Sequence, residues 1–193
     1  MRICFFDFDG TLTSKDTLFE FARFARGRWR LCAALFASLP AIVGWKLGFM
    51  TNSAAKQVLF SHLFKGVPYD VFQQKGKEFA AEIPKFLRQD TVATLRRHIA
   101  QGHTPVIVSA SMAEWIEPWA DKNGVAMVIA TQPEVDAAGR LTGRFATPNC
   151  VGPEKVRRIK EAFPTIDDCE TWAYGDSPSD SSMLQIATHP QRV

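Results

Sequence analysis

What this sequence lacks narrows the field first. Its four cysteines, Cys4, Cys32, Cys150 and Cys169, are scattered and form no CxxC pair, which argues against a zinc site or redox dithiol and fits reduced thiols in a cytoplasmic setting. Strong charge of either sign is absent. A formal net charge of +3 gives no argument for nucleic acid, and the local basic cluster of Arg23, Arg26, Arg28 and Arg30 reads first as a solvated helix face. No apolar run is long enough for a bilayer: Leu31 to Trp45 supplies about 15 residues where a crossing needs about 20, and Pro40 interrupts it. That run reads as two short helices, with contact at a membrane surface left open. Met1 to Phe6 leads straight into an acidic motif without an h-region or cleavage site, so no secretory leader is expected. What is there, 193 residues with 46% hydrophobic and 22% charged, suits one folded core plus a modest insertion.

The chain is organised around Asp7-Phe8-Asp9-Gly10-Thr11, which follows the apolar run Ile3-Cys4-Phe5-Phe6. That run reads as a buried strand. Side chains repeat every two residues in a strand, so Asp7 and Asp9 point to the same side where it ends, and Gly10 lets the backbone turn. Two neighbouring anions repel, and a cation, a shifted pKa or both must offset that repulsion.

Downstream, Ser14 or Asp16 can cap a helix carrying Leu18, Phe21 and Ala22, and Asn52 or Ser53 a helix to Leu63. Another runs from Pro68 through Phe72, Phe79 and Ile83 to Pro84, and Asp90 to Ala100 is amphipathic. Strands are expected at Thr104 to Val108, Val125 to Ala130 and Thr171 to Tyr174, with a hairpin of Glu134-Val135 and Leu141 to Phe145. Helices are expected at Met112 to Asn123, after Gly152-Pro153, and at Ser181 to Ala187. The chain ends at Val193 with little room for a fifth strand, so the sheet is expected to be incomplete or completed unusually. Strands alternating with helices predict an α/β fold: a doubly wound, Rossmann-like parallel sheet core of residues 1–13 and 89–193, with a helical cap of residues 14–88 inserted after the first strand. The acidic motif, Ser109 and Asp176 each follow a strand, where ligands of such sheets bind.

Phosphoryl transfer needs a nucleophile in line with phosphorus and positive groups around its oxygens. Asp7 can attack to give an aspartyl-phosphate, and Asp9 can protonate the leaving oxygen and later deprotonate water. Asp7, Asp176 and the backbone carbonyl of Asp9 are hard oxygen ligands suited to Mg²⁺. Ser109 with nearby backbone N–H groups can hold a phosphate, and Lys155 supplies a charge at a helix start, where the helix dipole opposes it.

In this order the motifs resemble those of the haloacid-dehalogenase-like (HAD) phosphatase superfamily. Asp7 to Thr11 resembles its first motif, Ser109 after Val106-Ile107-Val108 the second, Lys155 the third, and Gly175-Asp176 with Asp180 the fourth. The resemblance implies a Mg²⁺-dependent phosphatase with Asp7 as nucleophile, Asp9 as acid and base, Thr11, Ser109 and Lys155 on the phosphate, Asp176 on the metal and Asp180 supporting metal or lysine. The helical insertion is similar to that of the phosphoserine-phosphatase-like branch, which implies a small phosphorylated substrate and places Asp16 where that branch contacts a substrate amine. The branch's cap arginine has no clear counterpart here, with Lys56 as the candidate in its place. Ser177-Pro178-Ser179 departs from the usual Gly-Ala-Asn, and the apolar cap resembles lipid-phosphate phosphatases, which keeps a phosphatidylglycerophosphate-like substrate as the alternative.

Three rivals are weaker. An EF-hand reading of Asp7 to Gly10 fails because Leu12 and Leu18 stand where Gly and Glu are needed. A serine esterase built on Ser177 has only His189 downstream as a base. A non-catalytic phosphate binder would not need both Asp7 and Asp9.

Overall fold

The computed structural model describes all residues from 1 to 193. β1 (Arg2–Phe6) lies at the centre of a five-stranded sheet ordered β3-β2-β1-β6-β7, every pair of neighbours parallel. Its alternation assigns each face. Cys4 and Phe6 join an apolar cluster with Val92 and Leu95 of α6 (Gln89–Ala100) and Ile116 and Trp119 of α7 (Ala113–Lys122). Ile3 and Phe5 join the opposite cluster, with Ile159 of α8 (Pro153–Ala162) and Met183 of α9 (Ser181–Gln185). All four strand residues are 0% exposed, and burying each large side chain contributes about 1.5–3 kcal/mol. The fold is therefore doubly wound, as the alternation of elements requires.

β2 (Thr104–Met112) runs longer than its apolar run suggests, carrying Ser109 to Ser111 inside the strand, with a register shift against β3 (Met127–Thr131) between Ser109 and Met112. β4 (Pro133–Val135) and β5 (Leu141–Phe145) form the expected antiparallel hairpin. β6 (Glu170–Gly175) delivers Asp176 to the same sheet end as Asp7. Of the two alternatives for the sheet, incomplete or completed unusually, the structure shows the second: β7 (His189–Arg192) pairs with β6 from Trp172↔His189 to Gly175↔Arg192 and supplies the fifth strand. Its sequence carries no alternating apolar signal because all four residues are exposed at the sheet edge, where backbone pairing with β6 and the stacking of His189 on Trp172 hold the strand.

Between β1 and α6 lie α1 (Thr17–Arg26), α2 (Arg28–Ala37), α3 (Leu39–Lys46), α4 (Asn52–Phe64) and α5 (Tyr69–Ala80). The run from Leu31 to Trp45 splits as expected, with the break at Ser38 and Pro40 in the first turn of α3. The strand-to-insert and insert-to-core crossings run side by side: Thr13 bridges Leu87, Ser14 N–H donates to Phe86 O at 2.7 Å and Arg88 N–H to Leu12 O at 2.9 Å. An aromatic seam joins insert to core, with Phe21 of α1 stacked on Trp115 of α7 at 4.4 Å between ring centroids and Phe72 and Phe79 of α5 edge-on to the same indole.

At the α5–α7 contact Glu114 is buried, one oxygen accepting from Tyr69 Oη at 3.1 Å and the other without a partner. Burial pushes its carboxyl up to about 7. Because the folded pKa lies above the ordinary 4.5, the site favours folding at acid pH, and its contribution is lost as pH rises from about 4.5 through about 7. Glu114→Gln removes that dependence: in urea titrations the variant is expected to gain about 1–2 kcal/mol on the native protein between pH 5 and pH 8.

Candidate active site

Asp7 closes β1, its N–H donating to Tyr174 O at 2.9 Å and so extending the β1–β6 ladder by one residue. The chain then turns at Gly10, whose φ of +85° suits glycine, and a Cβ there would collide with the Asp176 carboxylate. The close approach of Asp176 to the turn thus depends on the missing side chain. Arg88 steadies the same turn by donating to Gly10 O at 2.9 Å. Thr11 Oγ1 donates to Asp176 Oδ1 at 3.3 Å.

Lys155 is the hub. It is 1% exposed in the first turn of α8, and its Nζ donates to Asp7 Oδ1 at 2.6 Å, Asp180 Oδ1 at 2.6 Å and Val108 O at 2.8 Å. Burial disfavours its charge, but Asp7 and Asp180 more than offset this and hold its pKa above the ordinary lysine value. Asp7 is raised to about 7, first by burial, then by Asp180 and Asp9, against the pull of Lys155. The second Asp180 oxygen accepts from Ser177 N at 3.1 Å and Ser177 Oγ at 2.7 Å.

Asp7, Asp176 and Asp180 each offer an oxygen within 4.8 Å of the others. Three carboxylates around one ammonium leave an excess of negative charge. A hard divalent cation matches both that charge and the all-oxygen donor set. The Asp9 carboxylate is not in this group. Its Oδ1 accepts from Thr17 N at 2.9 Å and Thr17 Oγ1 at 2.6 Å, and its Oδ2 from Ser111 Oγ. Burial and the charge of Asp16 push the Asp9 carboxyl up to about 6, against the hydrogen bonds from Ser111 and Thr17.

Ser109 is buried within the C-terminal half of β2, its Oγ accepting from Ser111 N at 3.0 Å. Lys56 reaches from α4 to Ala110 O at 2.9 Å, so it meets the site between the two serines. Asp16 is exposed and caps α1, accepting from Leu18 N at 2.9 Å; it shares a cavity with Lys56. Thr17 and Ser111 are the residues that sequence reading missed. Ser111 was legible, since it lies two positions after Ser109 on one strand; Thr17 was not, because its role depends on Trp115 Nε1 donating to its hydroxyl at 3.0 Å from α7. The esterase rival loses its base: Ser177 is tied to Asp180, and His189 sits beside Glu170 at 3.3 Å, at the far end of β6.

Comparison with known proteins agrees with this geometry. The profile of the haloacid dehalogenase-like hydrolase family matches residues 4–185. The protein CicA of Caulobacter vibrioides is 35% identical over 188 residues, covering 94% of this chain and 81% of CicA. A solved protein of unknown function from Bordetella pertussis Tohama I superposes with a TM-score of 0.76 at 27% identity, over 97% of this chain and 87% of that one. A substrate-bound phosphoserine phosphatase superposes with a TM-score of 0.65 at 21% identity, over 96% of this chain and 82% of that one, a likeness of fold.

Removing the hub ammonium leaves Asp7 and Asp180 buried without their partner. Lys155→Met is expected to cost about 3–5 kcal/mol in chelator-containing buffer, measured by denaturant unfolding, with part of the loss recovered when a divalent cation is added.

Proposed function

This chain belongs to the haloacid dehalogenase-like hydrolase family, and from that premise we propose that it is a Mg²⁺-dependent phosphatase that hydrolyses a small phosphate monoester through an aspartyl-phosphate on Asp7. The observation that carries the reading is the convergence of Asp7, Lys155 and the Asp176–Asp180 turn from three distant stretches of chain at one sheet end. Asp7 attacks phosphorus and the ester oxygen leaves. Asp9, held by Thr17 and Ser111, gives that oxygen its proton and then takes one from the water that cleaves the acyl phosphate. Thr11, Ser109 and Lys155 would bind the phosphate oxygens, Thr11 by giving up its hydrogen bond to Asp176 and Lys155 by giving up one of its three to Asp7, Asp180 and Val108 O. Mg²⁺ on Asp7, Asp176 and the Asp9 carbonyl, with Asp180 in support, would neutralise charge so that an anionic nucleophile can approach an anionic substrate. Residues 14–88 act as a cap on the core of 1–13 and 89–193, excluding water and selecting the leaving group through Asp16 and Lys56.

Assay with p-nitrophenyl phosphate tests the mechanism. EDTA is expected to abolish turnover and Mg²⁺ to restore it; Asp7→Asn should abolish it and Asp9→Asn lower kcat by about 10²–10⁴-fold. Full turnover by Asp7→Asn would defeat the mechanism.

A second reading, a lipid-like phosphate ester, is favoured by the cavity beside Lys56. It has a volume of about 290 Å³ and is walled by Leu18, Phe19, Leu35, Ile42 and Trp45. Apolar walls suit an apolar leaving group better than the amino acid of phosphoserine. Along a series of n-alkyl phosphates, kcat/KM is expected to rise by about fourfold per buried methylene. A flat series with faster turnover of phosphoserine would reject the apolar substrate while leaving the phosphatase intact.

A further inference from the structure

Between Glu20 and Asp70 the chain contains no aspartate or glutamate, while Arg23, Arg26, Arg28, Arg30 and Lys46 fall within or just before α2 and α3. These two helices are also the least buried apolar elements of the protein. α2 buries only Ala34 of its chain, and α3 buries no residue at all. Trp29 is 89% exposed, Phe36 76% and Phe49 85%, with Leu39, Val43 and Leu47 also open to solvent. An exposed apolar face of this extent needs a partner.

From this we infer that α2, α3 and the turn after them form a docking surface for an anionic lipid bilayer. Charge selects the occupant. A face carrying only positive side chains matches acidic headgroups, whereas a second copy of the same face would set arginine against arginine. Element length selects the mode. α2 has 10 residues and α3 has 8, and no helix is long and apolar enough to cross a membrane, so the helices lie in the interfacial plane. Trp29 and Trp45 supply the amphipathic rings that settle at headgroup depth. A pocket beside the patch, lined by Arg26, Arg30 and His62, has no acidic wall, and the Arg26 Nε is buried without a hydrogen-bond partner. A phosphate of the headgroup layer is the complementary group. Trp45 faces both ways: it is 40% exposed and also walls the cavity beside Lys56. Docking would therefore bring that cavity to the bilayer.

The inference stands apart from the phosphatase reading, because binding is measured without turnover. The full chain is mixed with vesicles of phosphatidylcholine alone or of phosphatidylcholine with about one third phosphatidylglycerol, and bound protein is separated by flotation. Binding to the anionic vesicles is expected, falling as salt screens the headgroups and accompanied by a blue shift of tryptophan emission that Trp29→Ser reduces. Replacing Arg26, Arg28 and Arg30 by Gln should lower the partition coefficient on the order of 100-fold, and Trp29→Ser with Phe36→Ser and Phe49→Ser should abolish binding, with circular dichroism unchanged in both. Free inorganic phosphate in excess should not release the protein. Failure to float with the anionic vesicles, or equal binding to both vesicle types, would overturn the proposal, as would a solution dimer that Trp29→Ser dissolves.

Discussion

One buried ammonium sets the geometry of the site. Lys155 lies in the first turn of α8, an unfavourable place for a cation, and is almost wholly removed from water. Its position is tenable because Asp7, Asp180 and the Val108 carbonyl take all three of its protons. Those partners come from the end of β1, the body of β2 and the turn after β6, so one side chain ties three segments of the sheet end together. The carboxylates in turn would repel each other without it. Loss of any member leaves a buried charge unmatched, and the cost of that exceeds the worth of any single hydrogen bond nearby.

The arrangement also separates two kinds of carboxylate that are only two residues apart. Asp7 faces Lys155 and the acidic trio, in surroundings that call for a divalent ion. Asp9 faces neutral donors, Thr17 and Ser111, and is pushed upward by burial and by Asp16. Different surroundings equip otherwise identical groups for different work. Thr17 ties this division to the insert. It begins α1, hydrogen-bonds Asp9 and is itself held by Trp115, whose indole stacks on Phe21. The acid's orientation thus depends on the aromatic seam between insert and core.

Much of this was legible from residue order. The β1 run, Gly10, the Ser109 strand end and the Asp176 turn are local signals, each tied to one strand end, and their order predicted both the parallel sheet and the convergence of the acids. What escaped the sequence depends on long-range partners. β7 exists because β6 offers an unpaired edge, not because His189-Pro190-Gln191-Arg192 favours extension. Thr17 acquires its role from a tryptophan far along the chain. Such contacts have no period to read.

The junction where the insert leaves and rejoins the core has a bearing on how the protein could be remodelled. Thr13 and Leu87 are bridged, so the core sees the whole excursion as a loop whose two ends already touch. Doubling the length of such a loop adds only about 0.6 kcal/mol of closure entropy. The sheet is therefore nearly indifferent to how much polypeptide is threaded through that doorway. An exchanged module would have to supply a threonine for Asp9, aromatic rings for Trp115 and a donor for the buried Glu114.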